Sequence, residues 1–184
     1  NSILGVFDFG ATWLAGETIG FLAAALGLET AVAEITEKAM AGELDFFKAL
    51  IARVALSEGL EEEKVNAICA DLPMMPGAFE VVNGLKERGY TVICFSGGFR
   101  NATEPASKAL GLDADFSNFL HSEGGILTGQ VGGEMMHSDA KGDMITRMQN
   151  LLGVKREDTL VVGDGANDLS MFAHADTRVA FCAK

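Results

Sequence analysis

The chain has 184 residues, 48% of them apolar, with 26 acidic against 14 basic side chains and a formal charge of −12. That length and apolar share suit one domain, or a core carrying a smaller insertion. The acidic balance argues against binding nucleic acid through its phosphates, which needs a positive face. It also disfavours an anionic membrane surface. A small anionic substrate would need local help from a metal, a lysine or an arginine. The cysteines Cys69, Cys94 and Cys182 form no CxxC pair and do not cluster with histidine. This disfavours a disulfide framework or a zinc site and suits a reducing cytoplasm. No apolar run reaches ~18 residues, so no spanning helix is expected. The first residues show no charged stretch followed by the apolar one of a secretory signal.

Ile3–Phe7 predicts a short buried strand with Asp8 at its C-terminal end. Helical patterns follow over Glu17–Leu26, Glu29–Met40, Asp45–Ser57 and Glu61–Ala70. Gly27 closes the first and Ala41-Gly42 the second; Asp45 is placed to cap the third. In the second, Val32, Ile35 and Met40 form an apolar stripe. With no strand between them, these helices read as a compact helical insertion over residues 15–71. The flanking residues, 1–14 and 72–184, form the core. After Pro73 and Pro76 the rhythm changes. Gly77–Arg88 is a helix, Thr91–Phe95 a strand followed by a Ser96-Gly97-Gly98 loop, and Asn101–Leu110 a helix. Phe119–Ser122 and Ile126–Val131 form a hairpin. Lys141–Leu152 is a helix stopped by Gly153, and Thr159–Val162 and Arg178–Cys182 are strands. The alternation predicts an α/β fold, a Rossmann-like, mostly parallel sheet covered on both faces.

Ligands of such sheets bind outside the carboxyl ends of the strands. There the chain delivers Asp8, then Ser96 with Gly97 and Gly98, then Asp164, Asn167 and Asp168 of G-D-G-A-N-D. Lys141 opens a helix within reach of the same edge. Each type suits phosphoryl transfer. A carboxylate can attack phosphorus and form an acyl phosphate. Further carboxylates can hold Mg²⁺. A hydroxyl, backbone N–H groups and a lysine can hold the remaining phosphate oxygens. Singly each is ordinary: a turn aspartate, a loop, a solvated lysine, an N-cap cluster. G-D-G-A-N-D lacks the third glycine of a dinucleotide fingerprint, and Asp168 would face the pyrophosphate. The joint order carries the weight.

That order resembles the haloacid-dehalogenase-like phosphatase superfamily, through D-F-G-A-T (Asp8–Thr12), F-S-G-G (Phe95–Gly98), the lysine of D-A-K-G (Lys141) and G-D-G-A-N-D (Gly163–Asp168). Within it, E-T-I, K-A-M-A-G-E-L-D-F, A-R-V and V-V-G-D-G-A-N-D-L-S-M-F resemble the phosphoserine phosphatases over nearly the whole chain. The resemblance implies Mg²⁺-dependent hydrolysis of a small phosphorylated amino acid, O-phospho-L-serine, in the cytoplasm, by a monomer or homodimer. It implies that Asp8 is nucleophile and metal ligand, with the Gly10 carbonyl and Asp164 as further ligands. Ser96, Gly97, Lys141 and Asn167 would bind phosphate, and Thr12 and Asp168 would support the site. Glu17 would hold the substrate ammonium and Arg53 its carboxylate, with Met40 and Phe46 closing over it. By pattern alone Glu17 and Arg53 read as surface charges. The resemblance also implies a further strand and helix beyond the position of Lys184.

The first motif departs from the family. Gly10 stands where a second aspartate acts as general acid and base, and Arg100 where an acid is common. Glycine keeps the carbonyl but not the carboxyl, so metal and phosphate binding should survive while turnover suffers. The alternatives are a phosphoamino-acid-binding protein that does not turn over, or another phosphotransferase of the superfamily.

The histidines His121, His137 and His174 have no ligand spacing and read as surface residues. Met135, Met136, Met144 and Met148 read as packing. Trp13 could wall the site or fill the core.

Overall fold

The structure is a computed structural model that describes residues 2–9, 18–163 and 169–180, with Leu169 as backbone only. Six strands form one sheet, β1 (Ile3–Asp8), β2 (Tyr90–Phe99), β3 (Ala114–Glu123), β4 (Ile126–Gly133), β5 (Thr159–Gly163) and β6 (Thr177–Ala180). Their spatial order is β4-β3-β2-β1-β5-β6. All neighbours are parallel except β3 and β4. The fold is thus α/β with a mostly parallel sheet, as the alternation predicts.

Burial on both faces explains the apolar strand runs. Leu4, Val6, Ile93, Phe95 and Val161 face one cluster with Ala140, Met144 and Ile145 of α7 (Ala140–Leu152) and Met171 of α8 (Leu169–Phe172). Phe7, Val92, Cys94 and Val162 face the other, with α5 (Ala78–Glu87) and α6 (Arg100–Leu110). The inner strands β1, β2 and β5 alternate between the two clusters, as the pleat requires.

The segment between β1 and α5 holds α1 (Thr18–Leu26), α2 (Glu29–Met40), α3 (Phe46–Ala55) and α4 (Glu62–Ala70). Asp45 caps α3, accepting the Lys48 N–H at 2.8 Å. Leu22, Leu50, Val54, Val65 and Cys69 join the same apolar cluster as Phe7 and Val92, so α1, α3 and α4 are seated on that face of the sheet. The backbone stitches them there. Gly59 N–H donates to Leu127 O at 2.9 Å, Leu127 N–H to Leu60 O at 2.8 Å, and Glu62 N–H to Gly125 O at 2.9 Å. The tip of the β3–β4 hairpin therefore clasps the α3–α4 connection.

Three expectations change. First, β2 continues through Ser96-Gly97-Gly98 to Phe99 where a loop is expected. Second, β3 begins at Ala114, well before Phe119. Its first half pairs with β2, Ile93 opposite Ala114 and Phe95 opposite Phe116, a tertiary contact that the irregular sequence A-D-F-S-N does not announce. Third, α2 buries none of its residues, and Met40 is 84% exposed. Its stripe faces neighbours that cover Val32 and Ile35 only in part. The last strand is described as far as Ala180, so Cys182 lies outside the described residues.

The remaining side chains follow expectation. His121 meets Thr128 across the hairpin at 2.9 Å, His137 meets Asp143 at 3.2 Å, and His174 meets Thr146 at 3.2 Å. Met135 and Met144 are buried, and Met136 and Met148 pack against the same clusters. Trp13 lies outside the described residues.

Cys69 and Cys94 are buried and unpaired as thiols. Burial pushes the Cys69 thiol from 9.0 up to about 11. Cys94 is also raised, first by burial and then by the charges of Asp115 and Asp8. The folded chain therefore keeps protons that the unfolded chain releases. The contribution of Cys69 is therefore fully present below pH 9 and is expected to fall as the pH rises toward about 11, by about 2–3 kcal/mol. Urea unfolding at pH 8, 9, 10 and 11 checks this, and Cys69→Ala should flatten the decline.

Candidate active site

The site grows from the carboxyl edge of the sheet. Asp8, the last residue of β1, lies opposite Phe95, so Ser96 emerges beside it on β2. Phe7 lies opposite Val162, which brings the end of β5 to the same edge. Lys141 sits in the first turn of α7, where a positive charge opposes the helix dipole. Its ammonium donates to Asp8 Oδ1 at 3.1 Å, joining residues 133 positions apart in the chain. The two side chains are 13% and 15% exposed, so each supplies the counter-charge the other needs when drawn away from water. This pairing answers why a lysine opens that helix.

Ser96 is buried, and its Oγ accepts the Gly98 N–H at 2.9 Å. The β2–β3 register breaks here, Phe95 facing Phe116 and Phe99 facing Asn118. Three residues of β2 thus oppose one of β3, and the extra length bends the strand out of the ladder. Space is tight above it. A Cβ on Gly97 would lie 3.5 Å from Phe46 Cζ, and one on Gly98 would lie 3.1 Å from Ser96 Oγ and 3.9 Å from Thr18 Oγ1. Helices α1 and α3 therefore roof this backbone, and the missing side chains let a ligand approach the peptide itself.

Phe46 and Arg53 are seven residues apart on α3 and share a face. Phe46 stays 44% exposed beside Gly97. Arg53 Nε is buried, with no hydrogen-bond partner among the described residues. An orphaned guanidinium nitrogen costs free energy until an acceptor arrives. Arg53 also borders a small apolar cavity with Leu22, Val54 and Leu127.

The structure thus brings together Asp8, Lys141, Ser96, Gly97 and Phe46, with Arg53 on the Phe46 face. Met40 ends α2 with its side chain 84% exposed, and no described element covers that turn. Gly10, Thr12, Glu17, Asp164, Asn167 and Asp168 lie outside the described residues. Among the described residues no group of three His, Cys, Asp or Glu side chains could hold a metal ion. Asn118, fully buried beneath Gly97, is not marked out by the sequence; its one signal is the polar pair Ser117-Asn118 between Phe116 and Phe119.

The haloacid dehalogenase-like hydrolase family matches residues 6–176. The chain belongs to that family and is a hydrolase. Among its relatives, a phosphoserine phosphatase of Wolinella succinogenes is 55% identical over 98% of this chain and 88% of its own length. One of Methanocaldococcus jannaschii is 43% identical over 97% of this chain and 85% of its own length. A solved structure described as a phospho-aspartyl intermediate analogue of phosphoserine phosphatase superposes with a TM-score of 0.91. It is 42% identical and covers all of this chain and 88% of its own. A substrate-bound phosphoserine phosphatase complex superposes equally well, at 0.91 with 42% identity and the same coverage.

Proposed function

We propose that this chain hydrolyses O-phospho-L-serine to L-serine and phosphate through an aspartyl phosphate on Asp8, with a weakened proton-transfer step. The observation that carries the reading is the contact of Lys141 with Asp8 at 3.1 Å, on a sheet edge shared with Ser96 and Gly97. An Asp8 oxygen attacks phosphorus as the bond to the serine Oγ breaks. The electron pair leaves on that oxygen, which takes a proton from water. A second water then attacks the phosphorus and gives up a proton to solvent, the bond to Asp8 breaks, and phosphate leaves. Lys141, the Ser96 hydroxyl, the Gly97 N–H and Asn167 hold the other phosphate oxygens. Positioning and charge stabilisation account for most of such catalysis.

Asp8 is a hard oxygen donor at the edge, of the kind Mg²⁺ takes. With the Gly10 carbonyl and Asp164 it would hold that ion, which when bound supplies charge neutralisation at the phosphoryl group. Residues 1–14 and 72–184 act as the catalytic core and 15–71 as the cap. Glu17 and Arg53 bind the ammonium and carboxylate of the substrate, and Phe46 shields it. The enzyme works in the cytoplasm as a monomer or homodimer.

The side chain that should carry the proton is absent at Gly10. This favours a second reading, a phosphoamino-acid-binding protein with little turnover. One experiment tests both. Phosphate release with Mg²⁺ should favour L-phosphoserine over phosphoethanolamine, which lacks the carboxylate, by roughly 10- to 100-fold in kcat/KM, the worth of a charge-assisted hydrogen bond. Arg53→Met should erase that preference. Equal rates for the two substrates in the unaltered chain would sink the amino-acid reading. Magnesium-dependent binding of phosphoserine without release would support the second.

A further inference from the structure

We propose that Asn118 is a positioning residue: from a buried seat behind the sheet edge, its side-chain amide sets the Gly97 peptide and ties it to the segment that leads into the Lys141 helix. The inference rests on the reading of Gly97 as part of a phosphate site. Asn118 is 0% exposed. Its Nδ2 donates to Gly97 O and to Met135 O, each at 3.2 Å, and its Oδ1 accepts the Met135 N–H at 2.9 Å. Both amide protons and one acceptor site are thus used.

The register break explains why a side chain is needed there. Opposite Ser96-Gly97-Gly98 the β3 backbone offers too few partners, since three residues face one. Even a half-buried carbonyl such as that of Gly97 is costly to leave without a donor. The Asn118 amide supplies that donor to Gly97 and so fixes the plane of the bent-out peptide. Its other two bonds hold Met135, five residues before the start of α7 at Ala140. One amide therefore joins two stretches of chain that lead to the proposed phosphate site, Gly97 on β2 and the segment before the helix of Lys141.

The fold makes room for it. Gly133 has a φ of +132°, and a Cβ there would lie 2.6 Å from Asn118 Cα and 2.8 Å from Asn118 Oδ1. Any larger residue at 133 would displace the amide. A bland role, closing the end of the hairpin, would need only the Met135 bonds. The bond to Gly97 O is the one that reaches the site.

The test is a titration of the isotopically labelled chain with inorganic phosphate in the presence of Mg²⁺, followed by backbone and side-chain amide resonances. In the unaltered protein the Gly97 and Gly98 amides should move. The Asn118 side-chain amide, which phosphate does not touch, should move with the same midpoint. Asn118→Asp and Asn118→Ser should displace Gly97 in the free protein and weaken phosphate binding tenfold or more, with the methyl spectrum of the core unchanged. Native phosphate affinity in a folded variant would overturn the inference and leave the phosphate site standing. If neither variant folds, the Asn118 resonance of the unaltered chain decides: a silent side-chain amide while Gly97 responds overturns the positioning role. No response at Gly97 and Gly98 in the unaltered chain would instead remove the phosphate site, and the inference with it.

Discussion

Gly10→Asp is expected to raise phosphoserine hydrolysis by roughly 10²–10⁴-fold, the usual worth of a positioned general acid and base. In barrier terms this is about 3–5 kcal/mol. The serine alkoxide is a poor leaving group and needs a proton as the P–O bond breaks. A nitrophenolate leaves without one. Single-turnover transfer of phosphate to Asp8 should therefore gain much more from the substitution with phosphoserine than with nitrophenyl phosphate. The later attack of water on the aspartyl phosphate should gain with both, since it needs a base whichever group has left. Equal gains in the first step would show that the carboxyl does not act there as proton donor to the leaving group. An unaltered chain already as fast as the variant would show that another group moves the proton. Phosphate affinity in the presence of Mg²⁺ should change little, because glycine already supplies the backbone carbonyl.

Asp8→Asn should lower turnover by roughly 10⁴-fold or more, because the covalent route is lost with its nucleophile. The comparison is best made in the Gly10→Asp background, where the fall can be measured. Radiolabelled phosphate should no longer be trapped on the acid-quenched protein. Asparagine still offers an oxygen to Lys141, which donates to Asp8 Oδ1 at 3.1 Å, so the native circular dichroism should persist. The same label trapped on the asparagine variant would place the nucleophile elsewhere.

The order of strands and helices was legible because burial leaves a plain mark. Leu4, Val6, Ile93, Phe95 and Val161 lie in one core and Phe7, Val92, Cys94 and Val162 in the other, so β1, β2 and β5 read as unbroken apolar runs. The α3 start at Phe46 was legible from Asp45, whose carboxylate reaches only three residues along the chain. Asp8, Ser96 and Lys141 could be gathered at one edge because parallel topology forces strand ends together. By itself, then, the sequence determined the α/β class, the alternation of its core elements, the places of Asp8 and Ser96 at the carboxyl edge and the identity of Gly10. All of these follow from periodicity, from capping and from residue identity, which are local. Tertiary structure alone decided that Lys141 reaches Asp8 and that Ser96-Gly97-Gly98 is a bent stretch of strand. It alone decided that Met40 faces solvent and that Asn118 is sealed beneath Gly97. Each of these depends on partners 19 to 133 residues away in the chain, or on which neighbour fails to cover a turn. Such distances are set by how the layers pack, and no local pattern carries them.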